Sequence, residues 1–154
     1  MNKISKLLQQ HFENTRKEFI PGKTKIAIAD PTFGFAEINE AMDSLLSGWV
    51  TMGKKVKKFE NEFARYIGTK YSVMVNSGSS ANLLALSVLT NPKFSQRIKS
   101  GSEVLTPAIT WATTVFPIVN VHLVPSIIDV DLENFNVDVD KLRKSITKKT
   151  KAIM

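Results

Sequence analysis

The chain has 154 residues, 43% of them hydrophobic and 23% charged, with a net charge of +7 and no cysteine. This is enough for one domain with a real core, and it excludes disulfides and thiolate metal sites. No run of about 18 apolar residues is present to span a membrane, and Met1-Asn2-Lys3-Ile4-Ser5-Lys6 lacks the apolar core of a signal peptide, so a cytoplasmic protein is expected.

Residues 3 to 19 place Ile4, Leu7, Leu8, Phe12 and Phe19 at a rough helical spacing, which predicts an amphipathic helix ended by Pro21-Gly22. Ile26-Ala27-Ile28-Ala29 reads as a short strand and Asp30-Pro31-Thr32-Phe33-Gly34 as a turn. A helix is predicted from about Ala36 to Leu46, then a loop, Ser47 to Gly53. The next helix, Lys54 to Ile67, is expected to bury Val56, Phe59, Phe63 and Ile67, with Gly68 capping its C-terminal end. A strand follows at Tyr71-Ser72-Val73-Met74-Val75. After the polar turn Asn76 to Asn82, the helix from Ala81 to Leu89 is apolar nearly all round, so burial on most sides is expected. Asn91-Pro92 breaks it, and Lys99 to Ser102 is a surface turn. Glu103 to Thr106 reads as a strand ended by Pro107, Thr113 to Val119 as a helix, and Val121 to Val130 as holding a strand. Asp138 to Ile146 reads as a helix and Thr150 to Met154 as the start of a strand.

The alternation from residue 71 onward predicts an α/β fold: helices first, then strand–helix units forming a mostly parallel sheet. The organisation expected is an N-terminal helical arm, residues 1–25, and the N-terminal part of a large domain, residues 26–154. A final stretch that reads as strand, Ala152-Ile153-Met154, suggests a piece of a longer protein.

The turn Asn76-Ser77-Gly78-Ser79-Ser80-Ala81-Asn82 joins a strand-like run to a helix. The first N–H groups of a helix lack partners within it and carry partial positive charge, so such a turn suits a phosphate. It is no Walker loop, dinucleotide fingerprint or nucleophile elbow, and spacing alone leaves open a plain turn capped by Ser. Trp111 should lie at a strand's C-terminal edge, where open α/β sheets bind ligands, either stacking on a ring or packing in the core. The loop Gly48 to Gly53 either lines a pocket through Trp49 or simply joins two helices. Asp129-Val130-Asp131 and Asp138-Val139-Asp140 are short Asp-x-Asp patterns, and no metal site is expected from them. His11 and His122 stand alone. Lys54, Lys55, Lys57 and Lys58 adjoin Glu60 and Glu62, and Lys148, Lys149 and Lys151 form a second group. Without a zinc-finger, helix-turn-helix or aromatic RNA-binding signature, these read as solvated faces rather than a nucleic-acid site.

From about Ala36 to Met154 the chain resembles the DegT/DnrJ/StrS family of sugar aminotransferases, fold-type I enzymes that use pyridoxal 5′-phosphate (PLP). The matching stretches are Gly48 to Gly53, Val56 to Tyr66 with Gly68, Val75 to Asn82, Gly101 to Glu103, Thr106 to Trp111, Ile128 to Asp131 and Lys149 to Ile153. Ser79-Ser80-Ala81-Asn82-Leu83-Leu84, Thr110-Trp111-Ala112-Thr113-Thr114 and the leader Phe19 to Thr24 are similar to the branch that dehydrates 4-keto-6-deoxy nucleotide sugars at C3.

The resemblance implies part of the mostly parallel sheet of a fold-type I large domain, with PLP or pyridoxamine 5′-phosphate as cofactor. It implies that the N–H groups of Ser79 and Ser80, helped by Gly78, bind the cofactor phosphate, that Trp111 stacks on its ring, and that Gly48, Trp49, Val50 and Thr51 touch a nucleotide-linked keto-deoxysugar. It also implies a homodimer. The family's acidic partner for the pyridine nitrogen, and the lysine that the dehydrases replace with histidine, are expected beyond Met154, so no catalytic residue is assigned within the chain and the chain alone is expected to be inactive. The implied function is amino transfer to a keto-deoxysugar nucleotide, in surface polysaccharide or deoxysugar synthesis, or alternatively C3 dehydration. Outside that family stand a metal-dependent glycosyltransferase built on Asp129 and Asp131, and a non-catalytic binding module.

Overall fold

The structure is a computed structural model, and it describes residues 3–15, 18–29 and 32–154. The chain divides into two compact units, Met1–Ser72 and Val73–Met154.

The first unit is helical. Helix α1 spans Lys3–Thr15. Its apolar positions recur every three or four residues, but Ile4 and Leu7 remain at least half exposed. The predicted helix runs on to residue 19; positions 16 and 17 lie outside the described residues, and Phe19 is not helical. Ile20 accepts the N–H groups of Lys23 and Thr24 in the turn around Pro21-Gly22. The strand predicted at Ile26 to Ala29 does not form, because these residues find no pairing partner among the described strands and Ile26 and Ile28 are exposed. Of the predicted turn at 30–34, Asp30 and Pro31 lie outside the described residues.

Helix α2 covers Phe35–Leu46 and packs on α1, where the hydroxyl of buried Ser5 donates to Asn39 Oδ1 at 2.8 Å. Glu37 reaches back to accept the Gly34 N–H at 2.7 Å, which satisfies a donor at the helix start and holds the carboxyl below its usual range. Helix α3, Lys54–Ile67, matches its prediction residue for residue and ends at Gly68 in the left-handed region (φ 79°), where a side chain would be strained. The predicted burial along α3 is not observed. Ala64 is its buried residue, whereas Phe59 and Phe63 stack on one another, rings 5.5 Å apart, and stay substantially exposed, as does Ile67.

The second unit is α/β. Helix α4 spans Gly78–Thr90, strand β1 Glu103–Pro107, helix α5 Ala112–Asn120, strand β2 Val124–Ile128, helix α6 Val139–Ser145 and strand β3 Thr150–Ile153. The strands form a parallel sheet in the order β2-β1-β3. Strand β1 is central, so Val104, Leu105 and Thr106 are buried in succession rather than alternately. Leu86 of α4, Val104, Ile118 of α5 and Leu123 form the core, each burial stabilising by about 1.5–3 kcal/mol. His122 ends α5 in the left-handed region (φ 61°), and its carbonyl accepts the Gly101 N–H and the Ser100 hydroxyl. The predicted strand at 71–75 pairs with none of the described strands. Nor is α4 buried on most sides: only Leu86 is, and Val88 is 55% exposed.

Candidate functional site

The turn at 76–82 becomes the start of α4. Ser77 is its N-cap, with extended backbone, and its Oγ accepts the Ser80 N–H at 3.2 Å while its carbonyl accepts from Ala81. Gly78 and Ser79 are the first two helical residues, and their N–H groups have no acceptor within the helix. Of the three residues singled out in the sequence, Gly78 and Ser79 therefore offer unspent donors, and Ser80 offers one shared with the Ser77 cap. A Cβ added at Gly78 would meet nothing within 4 Å, so the approach to this turn is open.

Helix α5 packs beside α4 and starts at the C-terminal end of β1. Trp111 is its N-cap residue, and its side chain makes no capping bond. The indole is 82% exposed, so it is no part of the core. Thr114 donates its N–H to the Trp111 carbonyl at 2.9 Å, and the Thr110 and Thr114 hydroxyls lie 3.0 Å apart. One side-chain bond links the two helix starts: Asn82 Nδ2 donates to the Thr113 carbonyl at 3.1 Å. Gly78, Ser79, Ser80 and Trp111 thus belong to two neighbouring helix N-termini of one unit. Nothing local in the sequence reveals the Asn82 bond, because its partner lies 31 residues away.

Gly48, Trp49, Val50 and Thr51 belong to the first unit. Trp49, Val50 and Thr51 line a cavity of about 720 Å³ between α2 and α3, together with Leu45 and Val56. Gly48 adopts φ 74°. Trp49 turns back over Gly53, its Nε1 donating to the Met52 carbonyl at 3.3 Å. Gly53 has ordinary extended backbone, yet a Cβ there would collide with Trp49 Nε1 and lie 2.7 Å from Cδ1. Its lack of a side chain is therefore a matter of space. Lys55 clamps the same loop, bonding to Glu40 Oε2 at 2.6 Å, to the Glu40 carbonyl at 2.9 Å and to Asp43 Oδ2 at 3.0 Å. Glu40, then Asp43, raises the Lys55 pKa.

The Asp-x-Asp patterns have structural duties. Asp129 pairs with Lys141 at 2.7 Å, and Asp138 caps α6 through the N–H groups of Asp140 and Lys141 at 3.0 Å. Asp131 accepts the Glu133 N–H at 2.7 Å. The Lys141 ammonium holds the Asp129 carboxyl below its usual range, and the Lys141 N–H does so for Asp138. Among the described residues no group of three or more His, Asp or Glu side chains is arranged to hold a metal, and no helix is long and apolar enough to cross a membrane.

Residues 31–154 match the family described as the DegT/DnrJ/EryC1/StrS aminotransferase family. A GDP-4-keto-6-deoxy-D-mannose 3-dehydratase of Yersinia pseudotuberculosis is 45% identical over 130 residues, covering 82% of this chain and 32% of the relative. A lipopolysaccharide biosynthesis protein, RfbH, of Salmonella typhimurium is 36% identical over 154 residues, 98% of this chain and 35% of its own. The structure of the Escherichia coli GDP-4-keto-6-deoxy-D-mannose-3-dehydratase with bound hydrated PLP superposes with a TM-score of 0.75 at 39% identity, over 82% of this chain and 32% of that one. The chain spans about a third of the length of these relatives.

Proposed function

The chain belongs to the DegT/DnrJ/EryC1/StrS aminotransferase family, and from that premise we propose that it is the N-terminal part of a PLP-dependent enzyme that removes the C3 hydroxyl of a nucleotide-linked 4-keto-6-deoxysugar. The observation that carries the cofactor assignment is the pairing of two helix N-termini, one with unspent N–H donors and one headed by an exposed indole. The donor set fits PLP. Gly78 and Ser79 donate to the phosphate where the helix dipole favours an anion, and Ser80 contributes as it shares its N–H with Ser77. Trp111 covers a face of the ring. Bound there, PLP supplies an electron sink, and the chain's part is to hold and orient it.

Gly48, Trp49, Val50 and Thr51 contact the nucleotide sugar, with Lys55 and Gly53 fixing the loop. The active form is a homodimer. The dehydratase reading is supported by the two 3-dehydratases named above, at 45% and 39% identity. Amino transfer to the same class of keto sugar is the second reading, supported by the description of the family. The test is to incubate the chain, extended to the length of its relatives, with PLP, glutamate and a GDP-4-keto-6-deoxysugar. A product that has lost its C3 oxygen and gained no nitrogen supports dehydration. An amino sugar establishes transfer instead, and a protein that binds neither PLP nor its amine form overturns both.

A further inference from the structure

We infer that Asn82 is a positioning residue, which gives the Thr113 carbonyl the hydrogen bond that Pro117 cannot and so holds the start of α5 against the start of α4. In an α-helix the carbonyl of residue 113 accepts from the N–H of residue 117. Residue 117 is a proline, buried inside α5, so that donor does not exist. A proline ring also crowds the carbonyl four residues before it, which makes the Thr113 oxygen the one in this helix most in need of an outside partner. The partner is Asn82 Nδ2 at 3.1 Å. Because a carbonyl only accepts, the amide nitrogen must face it.

The bond joins α4, one turn past Gly78 and Ser79, to α5, two residues past Trp111. A slip of one helix along the other would move the phosphate donors relative to the indole. Pro117 opens the socket and Asn82 fills it, so the two residues act as a pair. The consequence for the cofactor rests on the PLP reading above; the Asn82–Pro117 coupling does not.

The test is a double-mutant cycle on the protein at the length of its relatives, with Asn82→Leu, Pro117→Ala and both together. Alanine at 117 restores a backbone N–H for Thr113. In the parent, Asn82→Leu is expected to raise the PLP dissociation constant about fivefold to tenfold and to change the circular dichroism of bound PLP, as the loss of one hydrogen bond predicts. In the Pro117→Ala background the same change is expected to raise it less than about threefold. The urea midpoints of the cofactor-free proteins should show the same non-additivity. Equal effects of Asn82→Leu in both backgrounds, in binding and in urea, overturn the inference. If the parent binds no PLP, the PLP reading fails alone, and additive or non-additive urea midpoints still decide for Asn82. Asn82→Asp, which keeps the shape and removes the donors, serves in the cycle if the leucine variant does not fold.

Discussion

Replacing Trp111 with alanine should weaken PLP binding and leave the stability of the cofactor-free fold almost unchanged. The indole is 82% exposed and makes no capping bond, so its truncation removes few contacts from the folded state. Its structural service to α5 runs through its carbonyl, which accepts the Thr114 N–H and is retained in alanine. The expected change in unfolding free energy is within about 0.5 kcal/mol. Stacking on the pyridine ring has both a burial and a quadrupolar component, together about 1–3 kcal/mol, or about a 5- to 150-fold rise in the dissociation constant. The assay is a PLP titration followed by absorbance, beside urea unfolding without cofactor. An unchanged dissociation constant would refute the stacking role. A stability loss above about 2 kcal/mol would show that the indole supports the fold, against its exposure.

Ser77→Ala removes the acceptor of the Ser80 N–H and should destabilise by about 1 kcal/mol, read as a lower melting temperature; an unchanged melt would mean the cap contributes nothing. Gly53→Ala should destabilise by about 1 kcal/mol because the new methyl meets the Trp49 ring. In a Trp49→Ala background most of that loss should disappear, leaving only the small preference of the helix N-cap for glycine over alanine; a loss of equal size in both backgrounds contradicts the steric account. The lowered pKa values of Asp129 and Asp138 mean that their contribution is fully present above the ordinary carboxylate value of about 4 and disappears as pH falls through the folded values. Lys141→Met should flatten stability against pH in that acid window, and a denaturation profile unchanged in shape would exclude Lys141 as the cause.

What the sequence disclosed was what local rules control. Helix α3 was legible from Val56, Phe59, Phe63 and Ile67 and from Gly68, since period and cap chemistry lie within one segment. The parallel arrangement of β1, β2 and β3 followed from the alternation of elements. Partnership was not legible. Tyr71 to Val75 has strand-like residues but no ladder, and the apolar residues of α4 are not covered on most sides, because both depend on neighbours distant in sequence. In the site, Gly78 and Ser79 could be picked out because any helix start leaves N–H groups unspent. The engagement of Ser80 by Ser77 was readable as a Ser three residues ahead of it. The Asn82–Thr113 bond and the seat of Trp49 on Gly53 required coordinates.

The order β2-β1-β3 also decides where this sheet is able to grow. Val124 donates to Ser102 and Ile128 accepts from Ala108, so the even-numbered residues of β2 face β1 and Pro125 turns its nitrogen outward. With no hydrogen on that nitrogen, the outer margin of β2 has a gap in its row of donors, as suits a terminal strand. On the other side Met154 donates to Leu105, which leaves the N–H group of Ile153 pointing away from β1, beyond a register irregularity that skips Lys151. Among the described strands, a further strand, from the same polypeptide or another, therefore meets a missing donor along β2 and an intact one at Ile153 of β3. That margin is also where two separate copies would zip together, held off chiefly by the charge of Lys151.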